Sequence, residues 1–123
     1  MKIIKIRRIY DSSAPSDGYR VLVDRLWPRG IKKAEAKLDA WAKTVAPSAE
    51  LRKRFAHQAD RYAEFQSAYR RELDANPEAL AFVRSCEAVL ADRNITLLYA
   101  AKDEKYNNAA VLRAWVQEQV NMK

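Results

Sequence analysis

Three short apolar segments predict the strands of a sheet. Residues 2–9 alternate loosely between isoleucines and basic residues, residues 19–25 contain three consecutive apolar residues, and residues 94–101 form an apolar run with a β-branched start. Patterns of this length and composition are typical of β-strands. The stretch DSSAPSDG at 11–18 consists of turn-forming residues, so it separates the first two strands.

Apolar residues at spacings of three and four predict helices between the second and third strands. The clearest stripe lies in a helix over 59–75 and consists of Tyr62, Phe65, Tyr69 and Leu73. The helix that follows, over 77–92, has a stripe that consists of Leu80, Val83, Cys86 and Leu90. Cys86 is therefore expected to be a small buried hydrophobe and not a nucleophile.

Capping residues indicate where two further helices begin. Ser48 is the predicted N-cap of a helix over 49–57. Asn107 or Asn108 is the predicted cap of a C-terminal helix over 107–120. The segment between the second strand and Ser48 is expected to contain a short helical turn and a loop.

This order of elements predicts a single α/β domain over residues 1–123. Long helical stretches between strands favour parallel pairing, with the helices packed against the sheet. We expect a small, mostly parallel sheet of about three to four strands flanked by helices.

The composition excludes several classes of protein. One cysteine cannot form an internal disulfide, and the chain has no Cys/His cluster for a metal ion. Two glycines are too few for the glycine-rich phosphate loops of the common nucleotide-binding motifs. No metal or cofactor is therefore expected. No apolar run approaches the roughly 20 residues of a membrane span, so we expect a cytoplasmic protein with no membrane partner.

Polar and charged side chains follow the ends of the second and third predicted strands. Those after the second strand are Asp24, Arg25, Trp27 and Arg29. Those at the end of the third strand are Tyr99, Lys102 and Asp103. Ligands of open α/β sheets bind at the carboxyl ends of the strands. If these two strands are parallel neighbours, their polar groups meet at one edge of the sheet.

The charges at this edge predict a pocket for a small phosphate-bearing ligand. The cations expected to hold the anion are Arg25, Arg29 and Lys102. The N-terminal end of the last helix, at Asn108, adds a partial positive charge. Asp24 or Asp103 is the candidate catalytic or orienting carboxylate.

A structural interpretation of the same residues stays open. In it, Asp24 and Arg25 form a partly buried ion pair, and Trp27 fills the core beneath the loop. The only histidine, His57, is a candidate ligand-binding residue with Asp60 nearby. A lone histidine is more often a helix cap or a hydrogen-bond partner of a backbone carbonyl, and we favour that role.

The net charge of +7 allows an alternative function in nucleic-acid binding. Residues 1–33 contain nine Lys and Arg residues against three Asp residues. Arginines on the helices alternate with glutamates and core aromatics, which makes a base-stacking surface there a weak interpretation. A non-catalytic interaction protein, with an exposed sheet edge or aromatic-rich helices as its interface, is a third possibility.

Several segments resemble one known family. VDRLWPRG and LLYAAKD are the most specific of them, and together with WAKTVAPS and LRKRFAH they resemble the domain-of-unknown-function 488 family, in its YeaO-like branch. The resemblance covers nearly the whole chain and implies a short bacterial α/β protein, but no particular reaction or substrate. The family usually has a histidine where Tyr106 or Asn107 stands. The positions that the resemblance carries over are Asp24, Arg25, Trp27, Pro28, Arg29, His57, Lys102, Asp103 and Asn108.

Overall fold

Four parallel strands form the sheet in the computed structural model, which describes residues 2–121. The strands are β1 (Ile4–Arg8), β2 (Tyr19–Leu22), β3 (Ala40–Trp41) and β4 (Ile95–Tyr99), and their order across the sheet is β1-β4-β2-β3. The α/β class and the parallel pairing predicted from the sequence are confirmed. The pattern did not predict β3, because two residues are too few to show an alternation.

Five α-helices surround the sheet. They are α1 (Lys33–Ala36), α2 (Ala49–Phe55), α3 (Tyr62–Asp74), α4 (Pro77–Leu90) and α5 (Asn108–Asn121). The Ser48 hydroxyl accepts a hydrogen bond from the backbone N–H of Leu51 at 3.1 Å, which confirms it as the N-cap of α2. The Asn107 side chain accepts one from Ala110 N–H at 2.9 Å and caps α5. None of the helices in residues 2–121 is long and apolar enough to cross a membrane.

The central strands β2 and β4 divide the core into two layers. Side chains alternate across a strand, so neighbouring residues face opposite sides of the sheet. Val21 and Leu97 face the larger layer, which α2 to α5 cover. Leu22 and Leu98 face a smaller layer, closed by α1 and the loops beside it. All five residues of β4 are buried, as expected for an interior strand.

The predicted helix stripes are confirmed with one correction. Phe65, Tyr69 and Leu73 of α3 are buried, and so is Cys86 of α4, whose thiol pKa is raised to about 12 by burial. The prediction for Leu80 was wrong, because this side chain is 48% exposed. Ala79, one position earlier, is buried in its place, so the inward face of α4 is rotated relative to the predicted stripe.

A buried carboxylate holds the amino-terminal end of the sheet. Asp17 accepts hydrogen bonds from Lys5, Arg7 and Arg20, and from the backbone N–H of Ala14. Burial alone would raise the pKa of Asp17. The hydrogen bonds from Ala14, Arg7 and Arg20 have a larger, opposite effect together, so the pKa is lowered to about 2. The ionised form of Asp17 therefore stabilises the fold.

We expect Asp17→Asn to reduce the free energy of unfolding by about 2 kcal/mol near neutral pH, because an amide cannot pair with the cations around it. In the wild type, this stabilisation is present above the ordinary pKa of 3.8 and is lost as the pH falls towards 2. Urea unfolding at several pH values measures both effects. An equal acid-induced loss in the variant would contradict this role of Asp17.

Gly18 and Gly30 provide a matched pair for a backbone test. Both have a positive φ, at 64° and 80°. A Cβ atom at Gly18 would lie 2.2 Å from the backbone oxygen of Asn94, whereas a Cβ at Gly30 meets nothing within 4 Å. We expect Gly30→Ala to lower the free energy of unfolding by about 1 kcal/mol, through backbone strain alone. Gly18→Ala should lower it clearly more, because the added Cβ also clashes. Thermal unfolding that ranks the variants equally would be evidence against this close approach.

Candidate functional site

The predicted meeting of two strand ends is confirmed. β2 and β4 are parallel neighbours, with Leu22 opposite Leu98, and Val23 N–H donates to the carbonyl of Leu98 at 3.0 Å just beyond the paired residues. The loops that follow both strands therefore leave the sheet at the same edge. They enclose a cavity of about 800 Å³, here called the strand-end cavity.

The strand-end cavity contains every site residue that the sequence predicted. Its lining includes Asp24, Arg25, Trp27, Arg29, His57, Lys102, Asp103 and Asn108. The β2–α1 loop supplies the first four, α2 and the turn after it supply His57, and the β4–α5 segment supplies the rest. The structure adds Arg52 and Lys53 from α2. Five Lys and Arg residues and two Asp residues thus line one cavity.

Asp24 joins two of the three segments that form the cavity, the β2–α1 loop and the β4–α5 segment. Its carboxylate accepts hydrogen bonds from Ala100 N–H at 2.9 Å and from Asn108 Nδ2 at 3.0 Å. Burial raises the pKa of Asp24, while these hydrogen bonds and the charges of Arg52 and His57 oppose that shift. Asp24 is thus both a structural link and part of the cavity wall.

Arg25 does not form the ion pair with Asp24 that the structural interpretation expected. Its guanidinium donates to the carbonyls of Pro47 and Ala46, both at 3.1 Å. These bonds attach the β2–α1 loop to the segment that leads into α2. Arg25 therefore positions the wall of the cavity, and less of its guanidinium remains for an anion than in Arg29.

Trp27 is fixed by contacts on two sides. Its indole N–H donates to the carbonyl of Ile31 at 2.7 Å, and its ring meets Trp41 edge-on with centroids 5.4 Å apart. Trp41 in turn donates to the backbone oxygen of Asp24 at 2.8 Å. The expectation that Trp27 fills space beneath the loop agrees with its half-buried position and its contacts in the smaller core layer.

Asp103 shapes the loop between β4 and α5. Its Oδ1 accepts hydrogen bonds from the backbone N–H groups of Lys105 and Tyr106, both at 2.9 Å. These two bonds lower the pKa of Asp103, so its carboxylate is ionised. Asn107 completes the turn, because its amide donates to the Asp103 carbonyl at 3.0 Å. A catalytic role for Asp103 stays a prediction beside this structural one.

His57 reaches the cavity through an unusual backbone. Helix α2 ends at Phe55, two residues earlier than predicted, and both Ala56 and His57 have left-handed φ angles, at 47° and 56°. The imidazole is exposed, and the centre of its ring lies 5.8 Å from the centre of the Phe55 ring. Within residues 2–121 its side chain makes neither the helix cap nor the carbonyl hydrogen bond that we favoured. Non-glycine residues in this conformation are strained, and such strain often occurs at functional sites.

Arg52 is one of the cavity residues that the sequence analysis did not predict. The apolar pair Leu51 and Phe55 fixes the inward face of α2, and Arg52 follows Leu51 at the border of that face. Its Nε atom is buried and has no hydrogen-bond partner among the described residues. Its position beside a buried helix residue is the available signal in the sequence.

Comparison with known proteins places these residues in a family. A family model described as the inactive DUF488-N3 subclade matches residues 3–123. The chain belongs to this family. It is 43% identical to the uncharacterized protein YeaO of Escherichia coli K12, over 93% of this chain and 96% of that protein. It is 42% identical to the uncharacterized protein Rv3073c of Mycobacterium tuberculosis, over 89% of both chains. No solved structure matches the chain significantly.

In this member, Tyr106 and Asn107 stand where DUF488 proteins are expected to have a histidine, and both make contacts within the protein. Asn107 is buried, and both ends of its amide are used, by Ala110 N–H and by the Asp103 carbonyl. The ring of Tyr106 lies 5.0 Å from that of Tyr62. Neither residue supplies a free general base in the cavity of this chain.

Basic residues near the N-terminus are largely occupied inside this DUF488 fold. Five of the nine Lys and Arg residues in 1–33 donate hydrogen bonds to protein groups, namely Lys5, Arg7, Arg8, Arg20 and Arg25. Only Lys5, Arg7 and Arg20 pair with a carboxylate, and all three share Asp17, so the segment keeps its excess of positive charge. Nucleic-acid binding by the basic surface stays an alternative prediction.

Arg25 and Arg29 are expected to differ in role: Arg25 is a structural cation, whereas Arg29 is available to a ligand. Arg25→Ala would leave the Ala46 and Pro47 carbonyls without their donor, so we expect a loss of about 1–3 kcal/mol in the free energy of unfolding. Arg29 is exposed, and we expect Arg29→Ala to change stability by less than about 0.5 kcal/mol. Urea unfolding of both variants checks this difference. A loss of the same size in both would show that Arg29 also has a structural role.

Proposed function

We propose that this protein binds a small phosphate-bearing ligand in the strand-end cavity. The observation that carries this proposal is Arg52, a guanidinium in the cavity wall whose buried Nε has no protein partner. No hydrogen bond or ion pair joins the Arg52 guanidinium to the other described residues, so its accessible N–H groups are available to an anion in the cavity. Phosphate suits an arginine because two of its oxygens match the guanidinium fork.

The surrounding charges favour the same class of ligand. Arg29, Lys53 and Lys102 line the cavity and are exposed, so their charges are available to a bound anion. The N-terminal end of α5 faces the cavity at Asn108 and contributes the positive end of the helix dipole. Asp24 holds this end of α5 and lies close enough to Arg52 for that charge to act on its pKa, so we assign it an orienting role in the site.

The candidate catalytic groups are already engaged in hydrogen bonds within the protein, which favours ligand binding without turnover. Both oxygens of Asp24 accept hydrogen bonds from Ala100 and Asn108. Asp103 is committed to a turn, and Asn107 stands near the position where the family is expected to have a histidine. The description of the matching subclade as inactive supports the same conclusion. We therefore propose a ligand-binding function rather than an enzymatic one.

Ribose 5-phosphate is a suitable first probe, because it has a phosphate and no apolar group. We expect it to shift the backbone amide NMR signals of residues 24–30 and 100–108. Arg52→Gln should weaken binding about tenfold or more, because it removes a charge-assisted contact. Arg84→Gln is the matched control, since Arg84 is an exposed arginine on α4 outside the cavity.

Each outcome of this titration bears on the proposal. Shifts at the two loops that disappear in Arg52→Gln and persist in Arg84→Gln would support it. If both variants bind as the wild type does, Arg52 is not the anion site. If neither ribose 5-phosphate nor a nucleotide shifts these signals, the proposed function is wrong.

A further inference from the structure

Exposed apolar side chains gather at the mouth of the strand-end cavity. Among residues 2–121, five large hydrophobic side chains are exposed, and three of them lie at this edge of the sheet: Tyr10, Leu26 and Trp41. Tyr10 and Leu26 line the cavity, and Leu26 is 62% exposed. Trp41 packs against Trp27, another lining residue. Concentrated exposed apolar surface beside a cavity indicates a binding site for an apolar group.

Neighbouring groups hold Tyr10 and Trp27 in place before any ligand arrives. The Tyr10 hydroxyl donates to the backbone oxygen of Arg29 at 2.8 Å, and the Arg8 guanidinium lies 4.9 Å from the centre of its ring. The Trp27 indole is fixed by the Ile31 carbonyl. Rigid aromatic side chains lose little conformational entropy on binding. Tyr10, Leu26 and Trp27 are here called the apolar rim, and its two aromatic members are therefore preformed.

The cavity thus presents two different chemistries to one ligand. Arg52, Lys53 and Lys102 provide positive charge, and the apolar rim provides aromatic and aliphatic surface. The volume of about 800 Å³ lies in the range that accommodates drug-sized ligands and far exceeds the needs of a lone phosphate ion. A ligand that matches both parts has a phosphate at one end and a flat apolar group at the other.

We propose that the ligand is a nucleotide, whose phosphate binds the cations of the cavity and whose base packs against Leu26 and Trp27. This inference rests on the phosphate-binding function proposed above and adds the base. Bases stack favourably on aromatic side chains, and this contact tolerates any base because each has a flat face. The base therefore accounts for the exposure of the rim, which a sugar phosphate leaves uncovered.

Isothermal titration calorimetry with three probes separates the contributions of base and phosphate. The probes are adenosine 5′-monophosphate, ribose 5-phosphate and adenosine. We expect the nucleotide to bind at least about tenfold more tightly than either fragment. Leu26→Ser should weaken the affinity for the nucleotide severalfold and leave the affinity for ribose 5-phosphate unchanged. Leu80→Ser, at an exposed leucine of α4 outside the cavity, should change neither affinity.

The failure of this inference differs from the failure of the proposed function. If nucleotide and ribose 5-phosphate bind equally and both depend on Arg52, the base has no site, and only the nucleotide inference is overturned. If adenosine binds as tightly as the nucleotide, the phosphate is not recognised, and the proposed function fails as well. Equal losses in Leu26→Ser and Leu80→Ser would show that the rim has no specific role. Circular dichroism of both variants confirms that each is folded.

Discussion

The hydrogen bonds accepted by Asp24 are the constraint on which the rest of this structure depends. They connect the end of β2 to Ala100 after β4 and to Asn108 at the start of α5. Parallel strands bring their carboxyl ends to one edge, but nothing in the sheet alone fixes the loops beyond it. The carboxylate does this, and it places the loops so that their charged side chains line one cavity.

Two buried or half-buried aspartates show how surroundings decide the role of the same residue type. Asp17, at the amino-terminal edge, is paired with cations that lower its pKa, and every neighbouring charge is engaged. Asp24, at the opposite edge, has a raised pKa, because burial outweighs its hydrogen bonds and the charges near it. Arg52, one of those charges, has a buried Nε without a partner. The edge at Asp17, where the charges are paired, is structural. The edge at Asp24 has an unpaired cation, which favours the binding of a ligand there.

The sequence predicted where the site lies better than it predicted what each side chain does there. Strand ends are visible as apolar runs that stop at Asp24 and Lys102, and the rule for parallel sheets places both at one edge. The division of labour between Arg25 and Arg29 depends on which carbonyls lie within reach, and only tertiary structure brings Ala46 beside Arg25. Arg52 was missed because a periodic pattern identifies the centre of a buried face, whereas residues at its border depend on the neighbouring elements. The same uncertainty in the orientation of a helix explains Leu80.

The left-handed turn after α2 has a geometric consequence for this cavity. In a continuous helix, Arg52 and His57 would be five residues apart and would point in directions differing by about 140°. They could not then face the same space. The positive φ angles of Ala56 and His57 end the helix and reverse the chain, so that both side chains line one wall. The turn thereby places a guanidinium and an imidazole, from residues five apart in the chain, in the lining of one cavity.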